Sequence, residues 1–342
     1  MASSGCYLSI WDELVDEFRA LGGVANNVRL DYGPFGRGLF PVDPKKPVTI
    51  RIPEALLVDV QHIRFTRDGT FFLSPAAPVD VQRRAFLENY QRNFSWGVGQ
   101  SETGALVQML QAASDELRTF LKATFKMDPW FDTPLSGTVP ERFFSARYIA
   151  YKDRGVLMPI VELANHGRLT RYEREDGIGL SGTFDDEILV RYGDDDPLEI
   201  FENWGFGSES ENFALSLPLN VETTCGPLAI RRDKTAPGAD RELYPAVSVE
   251  NGRIELSLMV LGHRREPRLP RENFYRALTT AGLARNEAKD LFERIREINR
   301  SALSKLVQLA DLAAPPLRDL LRRVANLQLE LLSHCAGHES MG

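Results

Sequence analysis

Apolar residues recur at helical spacing in three regions of the chain. The first, residues 8–21, has apolar side chains on one face and polar side chains on the other. That face consists of Leu8, Trp11, Leu14, Val15 and Phe18. Residues 79–126 contain two more amphipathic segments, AFLENYQRNF and ALVQMLQAASDELRTFLKATF, with Gly97, Gly99 and Gly104 between them. The spacing returns over about 270–337 and predicts a helical C-terminal region.

Short apolar runs separated by turn residues occupy the remainder. The stretch VRLDYGPFGRGLFPVDPKKPVTIRIPEALL is rich in Gly and Pro and predicts short strands with tight turns. Prolines and a glycine over 129–140 indicate a loop, and short β-like runs follow from 143 to 262, the first being FFSARYIAY. We expect the aspartates at 194–196 to lie in a solvated turn.

These patterns predict an α+β protein with small sheets, a helical insert and a helical C-terminal domain. A length of 342 residues suggests about two domains. We place the first at 1–266, with the insert at about 63–140, and the second at 267–342. Pro267 and Pro270 mark the expected boundary, since a residue before proline is disfavoured in a helix.

Composition and charge narrow the function classes. The net charge of −7 argues against broad nucleic-acid binding, which usually goes with a basic surplus. We expect no membrane association, because no run approaches the ~18 apolar residues of a membrane span. Cys6, Cys225 and Cys335 are far apart and include no CxxC, which predicts neither a disulfide framework nor a zinc site. With no signal-like N-terminal segment, we expect a cytoplasmic protein and no metal.

Four short pieces, in a fixed order, carry the candidate chemistry. GRGLF at 36–40 is followed by IPEALL at 52–57, and glycines there let the backbone approach another group closely. Arg147 is the second piece and PIVELANH, ending in Asn165 and His166, is the third. The fourth joins Tyr192-Gly193 to the later Trp204-Gly205-Phe206.

Taken in this order, the pieces resemble a SET-domain protein methyltransferase of the Rubisco large-subunit lysine methyltransferase type, a group that includes the actin-histidine methyltransferase. The resemblance is carried by residues 30–58 and 143–220. It implies a SET fold in which small sheets surround a threaded segment near 160–206. It also implies S-adenosylmethionine as cofactor, and methylation of a lysine or histidine side chain in a protein substrate docked by the C-terminal helices.

The same resemblance implies a role for each matching residue. Those beside the cofactor would be Gly36, Arg37, Gly38, Leu39, Arg147, Asn165, His166 and Phe206. Arg147 would pair with the methionyl carboxylate, a task that suits the planar guanidinium fork. Tyr192 would be the catalytic tyrosine and Trp204 would contact the substrate.

The sequence departs from the family pattern at three places. Trp204 stands where lysine-methylating members have a tyrosine, and an indole accepts no hydrogen bond. Glu162 replaces an aspartate, and Asp196-Pro197 replaces a Ser-Asn pair.

Several alternatives therefore stay open. The chain could be a catalytically degenerate SET protein that acts as an interaction module, or a helical scaffold with an unrelated β domain. Arg147 could form a structural ion pair with Glu162 or Asp185. The sequence leaves the substrate protein, the choice between lysine and histidine, the degree of methylation and the oligomeric state undetermined.

Overall fold

The structure, a computed structural model, describes residues 4–131, 133–193, 195–232 and 246–335. Helices and short strands alternate along it. The helices are α1 (Ser4–Ala20), α2 (Val81–Phe94), α3 (Trp96–Gln111), α4 (Asp115–Phe125), α5 (Leu135–Ser145), α6 (Pro197–Trp204), α7 (Leu269–Thr280), α8 (Arg285–Leu309) and α9 (Pro315–Ser333). Single 3-10 turns lie at Glu54–Leu56, Val60–His62, Asp128–Trp130, Val161–Leu163 and Ala310–Leu312.

The strands are short, as their interruption by Gly and Pro requires. They are β1 (Val24–Asn26), β2 (Val28–Gly33), β3 (Gly36–Pro41), β4 (Val48–Ile52), β5 (Val58–Asp59), β6 (Ile63–Phe65), β7 (Phe71–Leu73), β8 (Tyr148–Tyr151), β9 (Arg154–Leu157), β10 (Asn165–Thr170), β11 (Ile178–Gly182), β12 (Leu189–Val190), β13 (Phe213–Leu215), β14 (Leu219–Thr223), β15 (Gly226–Arg231), β16 (Ala246–Glu250), β17 (Arg253–Ser257) and β18 (Val260–His263).

Contacts within the chain divide it into two compact units. The first unit comprises Met1–Gly104 and Val139–Gly193, and the second unit comprises Ala105–Thr138 and Asp194–Gly342. The first unit builds five small sheets, with strand orders β1-β4-β11, β2-β3, β5-β9-β8, β6-β7 and β10-β12. Of these pairings, β10 with β12 is parallel and the others are antiparallel.

Aromatic side chains dominate the core of the first unit. Phe18 of α1 stacks on Phe86 of α2, with ring centroids 6.0 Å apart, and both are fully buried. Trp96 contacts Phe143 edge-on and Phe144 face-on, at 5.2 and 5.5 Å. Burying each such ring contributes about 1.5–3 kcal/mol, so the core fixes α2, α3 and α5 around the sheets.

The second unit joins β strands to the C-terminal helices. Its four-stranded sheet has the order β14-β15-β17-β16, and β13 pairs with β18. Helix α8 packs against α7, α9 and α4. Because α4 contacts α8, residues 105–138 belong to the same compact unit as the C-terminal helices. The predicted domains, 1–266 and 267–342, divide the chain at a different place. Those domain limits stay a prediction.

Helices predicted from the apolar spacing are present at each of the three regions, and the predicted α+β class with small sheets is confirmed. Three local predictions were wrong. Gly97, Gly99 and Gly104 do not separate two helices but lie inside α3. At Gly99 a Cβ would come 2.7 Å from the Phe143 ring, so the helix uses this glycine to admit an aromatic side chain.

The second error concerns 129–147. The predicted loop contains a 3-10 turn and α5, which includes Pro140, and α5 continues through Phe143 and Phe144 to Ser145. Only from Tyr148 does the FFSARYIAY segment form a strand. The periodicity of a short apolar run cannot distinguish the buried end of a helix from a strand. Here Phe143 packs against Trp96 at the end of the helix, a contact that the sequence pattern does not show.

The third error concerns the aspartates at 194–196, of which Asp194 lies outside the described residues. Asp195 and Asp196 are buried, not solvated. Asp196 is the N-cap of α6: its carboxylate accepts from Glu199 N at 2.9 Å, and the Glu199 side chain in turn accepts from Asp196 N. Pro197 occupies the first helical position, so the departure Asp196-Pro197 forms a helix start with a capping box.

Candidate functional site

The predicted glycine-rich piece forms a hairpin in the first unit. Strands β2 and β3 pair with Gly33 opposite Gly36 and Asp31 opposite Gly38, so the turn consists of Pro34 and Phe35. Gly36 has a φ of +90°, which an L side chain rarely adopts, so a glycine is required at this turn. The hairpin projects Phe35 outward, with 62% of its surface exposed.

Gly38 makes room for two side chains. A Cβ at this position would collide with Glu187 Oε1 and lie 2.7 Å from Asn165 Nδ2. Asn165 Nδ2 donates to the Arg37 carbonyl at 3.2 Å and to Glu187 Oε1 at 2.5 Å. The side chain of Asn165 is therefore hydrogen-bonded to the backbone of Arg37, and both are predicted site residues. The neighbouring Leu39 is buried, and its carbonyl accepts from Ile188 N at 2.8 Å.

Glu187 is the acid at the centre of this contact. It is only 6% exposed, and its Oε2 is buried without a hydrogen-bond partner in the described part of the chain. A Cβ at Gly33 would lie 2.9 Å from Oε2, so the carboxyl group fits between two glycines of the hairpin. Burial raises the pKa of Glu187, against the Asn165 hydrogen bond, which lowers it.

Arg37 turns its guanidinium into the first unit. Its Nη2 donates to the Phe94 carbonyl at 2.6 Å, at the end of α2. Its Nη1 is buried and has no hydrogen-bond partner among the described residues. A buried guanidinium donor without an acceptor costs free energy, so this atom is a strained feature of the first unit.

Arg147 lies in the turn between α5 and β8. Its guanidinium carbon is 3.7 Å from the centroid of the Phe143 ring, and its Nη1 donates to the Phe143 carbonyl at 3.1 Å. Burial lowers the pKa of Arg147, while the charge of Glu162 raises it and that of Arg37 lowers it. The Arg147 guanidinium is thus held against Phe143, and the negative charge of Glu162 stabilises its charged form.

Glu162 is the acid whose charge acts on Arg147. It is 8% exposed, its Oε1 accepts from the Tyr90 hydroxyl at 2.9 Å, and its Oε2 is buried without a partner among the described atoms. Burial raises the pKa of Glu162, while Ser95 and Arg147 lower it. Glu162 is therefore a core group bound to α2 through Tyr90.

Tyr192 and His166 lie together at the end of β12. Their ring centroids are 5.1 Å apart, edge to face, and Tyr192 N donates to His166 Nδ1 at 3.4 Å. The Tyr192 hydroxyl donates to the Ala164 carbonyl at 2.9 Å. Burial raises the pKa of Tyr192 to about 12, so the phenol stays protonated at neutral pH and keeps its oxygen lone pairs as acceptors.

The predicted site residues thus fall in both units. Eight lie in the first unit: Gly36, Arg37, Gly38, Leu39, Arg147, Asn165, His166 and Tyr192. Trp204 and Phe206 lie in the second unit, at the end of α6 and just after it. Gly205 between them caps α6 with a φ of +79°. The roles of all ten residues, and the threading of 160–206, stay predictions.

No family model and no curated protein matches the sequence. The fold is similar to the crystal structure of the SET domain of LSMT bound to lysine and AdoHcy, at 13% identity and a TM-score of 0.42, covering 97% of this chain and 90% of that one. It is also similar to Rubisco LSMT bound to AdoMet, at 12% identity and a TM-score of 0.44, with 94% and 89% covered.

Two groups that shape the site were missed from the sequence. Glu187 follows Asp185 and Asp186 in a run of acids, and only its position two residues before β12 indicates burial. Tyr90 lies on the apolar face of α2 and gives no sign that its hydroxyl meets a carboxylate 72 residues away. Side-chain partners this distant in sequence leave no local pattern.

Within the described residues, no cluster of three or more His, Cys, Asp or Glu side chains has the arrangement to hold a metal ion. Cys225 and Cys335 are free thiols. No helix in the described part of the chain combines the length and apolar character needed to cross a membrane.

Proposed function

We propose that this protein transfers a methyl group from S-adenosylmethionine to a side-chain nitrogen of a lysine or histidine in a protein substrate. One observation carries the proposal. Segments distant in sequence, at 36–39, 147 and 165–166, lie in one compact unit and interact there through hydrogen bonds and charge. These are the segments that the family resemblance assigns to the cofactor.

The charges in the first unit fit an amino-acid moiety such as the one this cofactor carries. Arg37 Nη1 is a buried donor without an acceptor in the described chain, and Arg147 is a second guanidinium that feels its charge. Two cations that repel one another are stabilised by a carboxylate between them. Arg147 and Arg37 would hold that carboxylate, with Asn165 and His166 on the same cofactor.

When bound, the cofactor supplies an activated methyl group on a sulfonium. The protein's own contribution is alignment: the nitrogen nucleophile must be neutral and about 3 Å from the methyl carbon. Partial burial favours the neutral form of a lysine. The Tyr192 oxygen would accept weak C–H···O contacts from the methyl group, each contributing about 0.5–1 kcal/mol. Because burial raises the pKa of Tyr192 to about 12, its phenol is no general base at neutral pH.

The second candidate is a degenerate SET protein that acts as an interaction module. Trp204 favours it, since an indole at the end of α6 accepts no hydrogen bond where the family has a phenol. In either case the partner would be a protein. The net charge of −7 would favour a basic partner, because opposite charges attract.

Incubation with labelled S-adenosylmethionine and cell lysate, followed by mass spectrometry, separates the two candidates. Methylated lysine or histidine in a lysate protein supports the enzyme, and we expect Y192F to reduce the labelling. Cofactor binding without any labelling would support the interaction module instead. Labelling at full rate by Y192F would remove the hydroxyl from the mechanism.

A thermal-shift series tests the cofactor site itself. A ligand that binds only the folded state raises the melting temperature by mass action. We expect S-adenosylhomocysteine to do so in the wild type and less in R147A. The matched control is R174A, which removes an exposed arginine of the same unit. No shift in the wild type at millimolar ligand would overturn the proposed function.

A further inference from the structure

The backbone of the first unit is strained at Ile160. Its φ of +69° and ψ of −61° lie in a region that L side chains rarely adopt, and it is the one β-branched residue among the described non-glycine residues with positive φ. The Pro159 carbonyl accepts from Val161 N at 2.9 Å, which closes a γ-turn around Ile160. Ile160 is also fully buried. A turn of this kind persists only where the surrounding structure holds it.

The strained turn determines where the predicted ligand-binding segment begins. Ile160 caps the 3-10 turn Val161–Leu163, and its carbonyl accepts from the last residue of that turn at 3.0 Å. The Ala164 carbonyl comes next and accepts from the Tyr192 hydroxyl at 2.9 Å. Strand β10 then begins with Asn165. The backbone geometry at 160 therefore decides where the Ala164 carbonyl and the Asn165 side chain lie.

Helix α2 supplies the group that holds this turn. The Tyr90 hydroxyl donates to Glu162 Oε1 at 2.9 Å, and Glu162 is the middle residue of the 3-10 turn. Burial raises the pKa of the Tyr90 hydroxyl, whereas the Ile160 backbone lowers it, so this hydroxyl also lies beside the strained residue. Tyr90 is fully buried and stacks on Phe94 with ring centroids 6.4 Å apart. Its ring is therefore fixed by the core, and its hydroxyl is a fixed point for the turn.

We propose that Tyr90 is a positioning residue for the predicted ligand-binding segment 162–166. Through Glu162 it holds the strained turn, and the turn holds the Ala164 carbonyl and the Asn165 side chain in the arrangement that a ligand meets. The identity of that ligand rests on the proposed function, whereas the hold on the turn is a property of the chain itself. A segment that is fixed in advance loses less freedom when a ligand binds, so this hold contributes to affinity.

Paired glycine and alanine variants test the strain at Ile160. Alanine is ordinarily the more stabilising of the two, because glycine loses more conformational freedom on folding. At a positive φ the order reverses, since only glycine adopts that conformation without strain. We expect I160G to unfold at a higher urea concentration than I160A, and V161G at a lower one than V161A. Val161 is the matched control, because it is equally buried and has no positive φ. A glycine variant less stable than the alanine variant at both positions would overturn the inference.

Amide hydrogen exchange tests the hold that Tyr90 exerts. In Y90F, at a temperature where the variant stays folded, exchange over 162–166 should be about tenfold faster, since one hydrogen bond changes an opening equilibrium by about that factor. Exchange in β2 should not change. The matched control is I178V, which removes a buried methyl group from the same core and should leave exchange over 162–166 as in the wild type.

Two further measurements test the route through Glu162 and the effect on binding. E162M removes the acceptor, and the increases in exchange caused by Y90F and E162M should not add in the double variant, because the two side chains act as a pair. Isothermal titration with S-adenosylhomocysteine should give a Kd about tenfold weaker in Y90F and unchanged in I178V, since a less populated competent state weakens the apparent affinity in proportion.

The outcomes distinguish this inference from the proposed function. Exchange over 162–166 that is equal in Y90F and the wild type would overturn the inference, as would additive increases in the double variant. It would also be overturned if Y90F bound S-adenosylhomocysteine as tightly as the wild type despite faster exchange. If this ligand failed to bind the wild type, the proposed function would fall, whereas faster exchange in Y90F would still support the hold of Tyr90 on 162–166.

Discussion

Glu202 of α6 gives the sharpest prediction on stability. Its Oε1 is buried without a hydrogen-bond partner among the described residues, and it lines a cavity of about 790 Å³ in the second unit together with Arg232. Burial raises the pKa of Glu202 to about 8, against the attraction of Arg232. The carboxyl is therefore mostly protonated in the folded protein at neutral pH.

The sign of the pH dependence follows from the raised pKa. The folded state holds the Glu202 proton more tightly than the unfolded state, whose pKa is near the ordinary value of 4.5. This contribution to stability is complete below about pH 4.5, declines as the pH rises, and is lost by about pH 8. The slope is close to about 1.4 kcal/mol per pH unit between the two pKa values and smaller near each of them, so the loss between pH 5 and pH 8 is about 3.5 kcal/mol.

E202Q keeps the size of the side chain and removes the titration. We expect urea unfolding, followed by tryptophan fluorescence, to show wild-type stability falling by about 3.5 kcal/mol more than that of E202Q between pH 5 and pH 8. The matched control is E297Q, at an exposed glutamate of α8, which should follow the wild type. If the stabilities of E202Q and the wild type fell in parallel, the carboxyl would not be protonated in the fold and the argument would fail.

Three further changes test contacts described above. G38A should lower the free energy of unfolding by about 1–3 kcal/mol, because its Cβ meets Glu187 and Asn165, as chemical denaturation would show. D196N should cost about 3–5 kcal/mol by the same measurement, since it removes the charge that pairs with Arg232 in a buried site. Y90F should cost about 1–3 kcal/mol, because the buried Glu162 carboxyl loses its donor.

Matched changes decide whether these losses are specific. G104A places a Cβ inside α3 with its nearest neighbour 3.9 Å away, so it should stabilise by up to about 1 kcal/mol. An equal loss in G38A and G104A would contradict the steric argument. D311N removes an exposed aspartate of the second unit, paired with Arg322, and should change stability by less than about 1 kcal/mol. Y148F, at an exposed tyrosine, is the neutral counterpart of Y90F.

Periodic features were predictable and side-chain partnerships were not. The helices at Ser4–Ala20 and beyond 269 follow from apolar spacing, because each buries one face in a core. The turn at Gly36 follows from the glycine itself. Arg147, expected in a strand, lies in a turn after a helix whose end is fixed by Phe143 and Trp96. No single-sequence pattern encodes that packing.

The candidate site shows the same limit. The ordered motifs identified Arg37, Gly38 and Asn165, which the structure brings into contact. The motifs did not reveal that Glu187 fills the space above Gly38. A capping box was visible at Asp196-Pro197-Leu198-Glu199, and the rule for helix starts would have predicted α6 there. Charge alone suggested a solvated turn, and this signal was weaker than the capping pattern.

The fit between Gly38 and the carboxyl of Glu187 has an evolutionary consequence. Since the glycine accommodates the acid, a lineage that acquired a larger residue at 38 would first have to shorten the side chain at 187, which leaves an empty space, whereas the reverse order would force the new side chain against the carboxyl group. The two positions should therefore change together among descendants of this chain. A glycine at position 38 therefore indicates a large acid at 187 as much as it indicates a ligand beside the hairpin.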